Sequence, residues 1–319
     1  MGSKHRYKVA IGLPVYQGER YLAEAVESIL RQTEGDFELI ISDNASTDAT
    51  EQVARAYASR DRRVRYVRNE QNFGVAENFN RAFRVSRSTY FRWAAYDDTL
   101  EPTYLQRCVE RLDADPSLAT CHSLTRRIDQ HGRVLGTLAE QTLSQSHRPS
   151  DRFGALVRGK EYTIWSVMRS DYIRRTQLHG RYTSSDLTFL AEMCLMGRFG
   201  FVHEYLFNLR EHPAAYTSSA RSPEEQARWW GQRRMMCAQY LQAPLSFCAQ
   251  ADVVRRSRLP WDQKVVCWRH LSLGAGNFAR SVGRRWWRRA VNGWNGNGFV
   301  PHAPEEIQTT GEERHAFSN

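Results

Sequence analysis

The chain has 319 residues, 41% of them hydrophobic, with 45 Lys and Arg against 35 Asp and Glu and a formal net charge of +10. That is enough to bury one large core or two smaller ones, and the composition reads as a soluble globular protein. The longest apolar stretch, around Val9 to Tyr16, is broken by Gly12 and Pro14, and it falls far short of the roughly 20 residues that span a bilayer.

Residues Met1 to Lys8 are basic and run straight into a strand-like segment. No apolar stretch followed by a small-residue cleavage site is present, so a cytoplasmic address is expected. The first hundred residues then alternate two periods, as repeated β-α units around a parallel sheet do. Lys8 to Pro14 reads as a buried strand. Tyr21, Leu22, Ala25, Val26, Ile29 and Leu30 recur at helical spacing and form one apolar stripe. A second strand, Phe37 to Ser42, leads into Asp43-Asn44-Ala45-Ser46-Thr47-Asp48, where Ser46 or Thr47 can cap a helix carrying Val53, Ala54 and Tyr57. Val64 to Val67 is a third strand, and Asn72-Phe73-Gly74 turns into a helix bearing Val75, Phe79, Ala82 and Phe83. The fourth strand, Tyr90 to Ala94, stops at Tyr96-Asp97-Asp98.

Beyond it the regularity changes. Tyr104, Leu105, Val109 and Leu112 make a helix, and Leu118 to Leu124 pairs with Arg133 to Leu138 around His131-Gly132. Leu143 to Asp151 is polar and reads as loop, Thr163 to Met168 as strand, and Leu187 to Met196 as helix. From about Ser222 the pattern is helices with loops, and the polar tail after Pro301 is expected to be disordered. The six cysteines, Cys108, Cys121, Cys194, Cys237, Cys248 and Cys267, lack C-x-x-C spacing and read as reduced core thiols. Between Arg255 and Arg289 ten Lys or Arg face one acid, Asp262, and four tryptophans, Trp261, Trp268, Trp286 and Trp287, lie among them. Such a segment points to an anionic surface, either lipid headgroups or nucleic acid.

Ligands of open α/β sheets sit beyond the carboxyl ends of the strands. Here those positions hold Pro14-Val15-Tyr16, Asp43-Asn44 and Asp97-Asp98. An aromatic after the first strand can stack on a base, and a carboxylate after the second can accept a base N–H. Two adjacent carboxylates after the fourth repel each other unless a cation lies between them, and Mg²⁺ or Mn²⁺ with phosphate oxygens suits that place. Each Asp can also be a turn or helix-capping residue. The first turn lacks G-x-G-x-x-G spacing and no P-loop is present. Neither G-x-S-x-G nor H-E-x-x-H occurs, which removes the support for hydrolase readings.

The stretches from Ile11 to Glu19, from Ile41 to Asp48 and from Tyr96 to Pro102, with the spacing between them, resemble the family 2 glycosyltransferases of the GT-A fold. The resemblance covers residues 7 to 215. It implies an α/β fold with a Rossmann-like, mostly parallel nucleotide-binding sheet, and a helical C-terminal extension follows it. It also implies a nucleotide-diphosphate sugar donor, a divalent metal, and inversion at the anomeric carbon; Asp43 can serve the uracil or thymine of a UDP- or dTDP-sugar equally, and guanine also offers it a donor. Carried over by position, Pro14, Tyr16, Glu19 and Asp43 line the nucleotide pocket with Asp97, and Asp98 ligates the metal. Ala95 stands where the family often has another Asp. Ser184-Ser185-Asp186 resembles the acidic motif that opens the acceptor-side helix, with Asp186 at the catalytic base and Ser185 replacing a Glu. Arg210-Glu211-His212 resembles the family's Arg-x-His element, whose His joins the metal or diphosphate. A helix-end acid and a structural histidine are the plainer readings of Asp186 and His212.

The organisation expected is a catalytic domain over 1–215, its nucleotide half 7–100 and its acceptor half 101–215. A helical basic and aromatic region over 216–300 and the tail 301–319 follow. The acceptor is expected to be a saccharide or a lipid-linked molecule in cell-envelope polysaccharide or glycolipid synthesis, with peripheral contact to an anionic membrane. Nucleic acid is not an expected partner, because it leaves the three strand-end motifs without a purpose. The remaining alternatives are a nucleic-acid-binding protein built on the basic region and a sugar-nucleotide binder that has lost catalysis, to which Ala95 and Ser185 give some colour.

Overall fold

A computed structural model describes residues 7–138, 146–158, 163–182, 184–213 and 238–273. They belong to a compact unit reaching Gly274; residues 275–319 form a second unit and lie outside the described residues, as do the Arg-Trp run over 284–289 and the tail after Pro301.

The first half alternates strand and helix as the two periods predict: β1 (Tyr7–Val15), α1 (Leu22–Leu30), β2 (Phe37–Asp43), α2 (Thr50–Arg60), β3 (Val64–Arg68), α3 (Val75–Arg84) and β4 (Ser88–Trp93). The second half contains β5 (Thr99–Leu100), α4 (Tyr104–Ala114), β6 (Leu118–Ile128), β7 (Val134–Thr137), α5 (Pro149–Arg158), β8 (Val167–Arg169), α6 (Ser170–Ile173), α7 (Ser185–Met196) and β9 (Arg198–Arg210). Two helices follow, α8 (Ala238–Arg256) and α9 over 261–273. No helix among the described residues is long and apolar enough to cross a membrane.

The described strands form one sheet in the order β3-β2-β1-β4-β8-β6-β9-β5, with β7 hairpinned onto β6. Strands β3, β2, β1 and β4 run parallel. In the second half the sheet is mixed: β6 and β9 are parallel, whereas β8 is antiparallel to both β4 and β6, and β5 is antiparallel to β9. Because the chain steps outward from β1 to β3 and then returns to place β4 on the other side of β1, the switch point of the sheet lies between β1 and β4.

Alternation along β1 divides the core. Val9, Ile11, Leu13 and Val15 join one cluster with α1 and α4, while Ala10 points to a second that includes Phe91, Trp93, Phe153 and Phe189. Gly12 is required between them: a Cβ there would lie 2.6 Å from Phe91 Cζ and 2.9 Å from Ala82 Cβ. Val253 and Val254 of α8 and Cys267 and Leu271 of α9 lie in the second cluster, so these helices complete that core. Trp93 is its centre, fully buried, edge-on to Phe91, His179 and Phe189 at 4.9, 4.9 and 5.3 Å, with Nε1 donating to the Phe79 carbonyl at 2.9 Å. Trp93→Ala is expected to cost about 3–5 kcal/mol, by loss of packing and of that hydrogen bond. Urea denaturation measures it, and a loss below about 1 kcal/mol would show that the site collapses around the cavity.

Several expectations need correction. The last three residues of the segment 143–151 read as polar loop are the start of helix α5, with Pro149 at the first position, where its missing N–H costs nothing. Residues 163–168 are not one strand: Thr163–Trp165 is a 3-10 turn and the strand begins at Val167. Strand β9 was not anticipated, because its middle, His203 to Tyr205, is exposed and breaks the alternation. The first free amide of α2, that of Thr50, is bonded by Asp48 Oδ1 at 3.1 Å and not by Ser46 or Thr47. Cys108, Cys121, Cys194 and Cys267 are buried thiols as expected, Cys248 is an exposed thiol, and Cys237 lies outside the described residues.

Candidate active site

The loops after β1, β2 and β4 meet at the switch point. After β1 the chain turns at Gln17, a non-glycine residue with φ of +56°. The Gln17 side chain clamps the loop after β2, its Oε1 accepting the Thr47 amide at 2.8 Å and its Nε2 donating to Thr47 Oγ1 at 3.1 Å. Glu19 completes the clamp, its amide donating to Asp48 Oδ2 at 3.1 Å and its Oε2 accepting the Ala49 amide at 2.9 Å. Glu19, expected to line the nucleotide pocket, thus ties the loop after β1 to the loop after β2, in part through its carboxylate. Gly18 lets this loop approach the next one: a Cβ there would stand 2.4 Å from Val15 Cγ2 and 3.1 Å from the Tyr96 ring. Pro14 is buried at the end of β1, and Tyr16 beside it is 36% exposed, the one aromatic of this loop free to stack on a ligand.

Asp43 ends β2 and is fully buried. Its Oδ1 accepts the Ser46 amide at 2.9 Å, and its Oδ2 accepts the Tyr66 hydroxyl at 2.7 Å and Arg68 Nη1 at 2.6 Å. Arg68 also reaches Glu51 at 3.1 Å and donates to the Ser46 carbonyl at 2.8 Å. Burial first, and then the bond to Asp43, push the Tyr66 phenol up to about 12, so it stays a donor. Next to it, Asn44 accepts from Asn69 Nδ2 at 2.8 Å and the Phe73 amide at 3.0 Å, while Asn78 binds both ends of Ser42. Sequence reasoning missed Tyr66, Arg68 and this amide network, since each partner is far away in the chain; the polar residues ending β3 were the available signal.

After β4 the structure brings Asp97, Asp98 and His212 together. His212 Nε2 lies 2.9 Å from Asp97 Oδ2, and its ring packs on Tyr21 at 4.8 Å. Arg210, the last residue of β9, organises the group: its amide donates to Asp98 Oδ1 at 2.8 Å, its Nε to the Asp97 carbonyl at 2.7 Å, and its guanidinium lies over the Tyr21 ring at 4.9 Å. Burial, and then repulsion by Asp97, push the Asp98 carboxyl well above the usual carboxylate range. The histidine thus faces Asp97, the less buried of the two acids, while Asp98 is tied beneath β9.

Asp186 stands apart from these contacts, second in α7 and half-buried. Its helix is docked on the same strand end, because Phe189 packs against Trp93, four residues before Asp97. Desolvation raises the Asp186 carboxyl above its ordinary value despite the bonds it accepts from the Leu187 and Asp186 amides. Ser184 before it has φ of +64°, and the four non-glycine residues with positive φ among the described residues, Gln17, Ala45, Leu178 and Ser184, all fall in loops that flank these groups. Strained backbone of this kind is held where a site over-determines it.

No group of three His, Cys, Asp or Glu side chains among the described residues is gathered as a self-sufficient metal site. The Asp97–His212 pair is compatible with Mg²⁺ or Mn²⁺ all the same, since such ions take one or two protein ligands and complete their shell with waters and substrate phosphates.

A doubly wound sheet whose clamped loops leave an aromatic and an acid–histidine pair around its switch point is the arrangement of a nucleotide-sugar transferase of the GT-A type. Residues 10–206 match the family model for glycosyl transferase family 2, and the chain belongs to that family. It is similar to chondroitin synthase of Escherichia coli, 34% identical over 127 residues that make up 40% of this chain and 18% of that one. It is 27% identical over 235 residues to the uncharacterized glycosyltransferase EpsJ of Bacillus subtilis, covering 67% of this chain and 64% of the relative. The chain thus spans less than two thirds of either curated relative. Its fold is that of S. aureus TarS 1–349, with a TM-score of 0.63 and 16% identity over 86% of this chain and 74% of that one. The same fragment in complex with UDP-GlcNAc gives 0.60 and 17%, over 81% and 69%.

Proposed function

We propose that this glycosyltransferase moves a sugar, with inversion, from a UDP- or dTDP-sugar to a hydroxyl of a saccharide or lipid-linked acceptor. The observation that carries the reading is the Asp97–His212 pair held by Arg210 at the end of β4, beside the clamped loops of β1 and β2. Tyr16 would stack on the base and Pro14 would wall it. Asp43 would act on the base through Arg68 or by exchanging that partner for the base N–H. TarS, which shares this fold, has been solved with UDP-GlcNAc, and that supports a UDP-sugar.

Inversion needs one displacement. Asp186 would take the proton from the acceptor hydroxyl as that oxygen attacks the anomeric carbon and the bond to the diphosphate breaks. Its raised affinity for a proton suits that task. Asp97 and His212 would hold Mg²⁺ or Mn²⁺, which when bound supplies positive charge to the departing diphosphate. Ala95 removes one carboxylate from the usual set, leaving this pair to carry the cation. Asp98 keeps the pair in place through Arg210.

The test is a panel of UDP-, dTDP- and GDP-sugars, screened with and without Mn²⁺ for thermal stabilisation, since a ligand at about 100 times its Kd adds about 2.7 kcal/mol. A UDP- or dTDP-sugar should shift the melting curve most, and more with Mn²⁺. Stabilisation by none of them would overturn the reading. Stabilisation without transfer or donor hydrolysis would leave a binder.

A further inference from the structure

Helix α9 presents a face that the transfer reaction does not use. Trp261, Val265, Arg269 and Leu273 follow one i, i+4 row and are all exposed, Trp261 at 75%, Val265 at 49% and Leu273 at 53%, whereas Cys267 and Leu271 on the other side of the helix are buried in the core. Tryptophan is rarely left so open, because its ring carries a large apolar area together with a polar N–H. The charge around the row is predominantly positive. Between residues 255 and 273 stand five Lys or Arg and one acid, Asp262. Arg255 and Arg256 are engaged by Asp252, but Arg258 and Arg269 are exposed and have no acidic partner among the described residues.

We infer that this face of α9 docks on an anionic lipid surface, with Trp261, Val265 and Leu273 entering the headgroup boundary and Arg258 and Arg269 pairing with lipid phosphates. Three observations select a bilayer over other occupants. Tryptophan and free cations serve nucleic acid equally well, but bases stack on rings and have no use for Val265 and Leu273, which partition into acyl chains. A single helical row is far smaller than the roughly 800 Å² per partner that a stable pair of copies buries. The cations continue in the sequence, where residues 274–289 add five Arg and no acid. The inference does not depend on the sugar-transfer reading, and its test uses no activity.

Full-length protein is sedimented with vesicles of phosphatidylcholine alone and of phosphatidylcholine mixed with phosphatidylglycerol, at low and high salt. Binding is expected to the mixed vesicles at low salt only. Arg258→Glu with Arg269→Glu should weaken it by about 30-fold or more, about fivefold for each cation removed. Trp261→Ser with Leu273→Ser should weaken it by about tenfold or more by withdrawing apolar area. Failure to bind mixed vesicles at low salt overturns the inference. So does wild-type binding by both double variants, which would place the attachment elsewhere in the chain. Dimerisation lost in Trp261→Ser with Leu273→Ser would assign the face to a second copy, and retention of a single-stranded oligonucleotide lost in the same variant would assign it to nucleic acid. Either variant melting well below the wild type would show that the face is packed in solution, which overturns it too.

Discussion

Asp186→Asn is expected to lower transfer by at least about 100-fold at saturating donor and acceptor, the ordinary weight of a general base, with donor binding unchanged. The substitution keeps size and some capping ability at the start of α7 and removes only the capacity to take a proton. Burial raises the Asp186 carboxyl, and two signs follow. Transfer requires the charged form, so the acid limb of kcat/KM should lie above the ordinary carboxylate range and should vanish in the variant. Folding favours the protonated form, so the stability this carboxyl contributes is present at low pH and lost as pH rises through its raised pKa. At neutral pH the Asn variant should therefore be as stable as the wild type or slightly more so. Transfer within a few-fold of wild type would reassign Asp186 to helix capping and leave the base unidentified.

Asp97→Asn should remove the dependence of UDP binding on Mn²⁺ and lower transfer by roughly 100-fold or more, because several kcal/mol of charge stabilisation on the leaving diphosphate goes with the cation. EDTA should bring the wild type toward the same level. The direct readout is calorimetry of UDP with and without Mn²⁺, and an unchanged affinity and unchanged Mn²⁺ dependence would take Asp97 out of the site. Asp98→Ala separates ligation from support. Asp98 accepts the Arg210 amide in a buried position, so its loss should lower the melting temperature as well as the Mn²⁺ response, whereas Asp97→Asn, which keeps the side chain's size and a partner for His212, should leave the melting temperature close to that of the wild type.

The nucleotide half was legible because its buried strands and amphipathic helices repeat two clean periods, and β1 to β4 fall within two residues of the expected bounds. The second half was less so. Strand β9 runs through His203, Glu204 and Tyr205 at the surface, and its partner β6 lies far upstream, so neither periodicity nor local pairing marks it. Helix α5 opens on polar residues, and only Pro149 at its first position signalled it. In the site, the strand-end acids could be named from the sequence, and His212 from the family resemblance. What could not be read was which acid faces the histidine, or that Asp43 is closed over by Tyr66 and Arg68, since those pairings depend on sheet register and not on spacing.

The Asp97–His212 pair joins residues 115 apart, across a strand that pairs parallel with β6 some 80 positions earlier. Contacts of such long range form only after the intervening chain has been ordered, and parallel pairing is slow for that reason. The nucleotide-binding sheet, whose strands are near neighbours, can assemble first and bind nothing that needs the pair. During refolding the ellipticity of the sheet should therefore return before Mn²⁺-dependent nucleotide affinity, and on a ribosome the centre stays open until β9 has emerged and closed against β6.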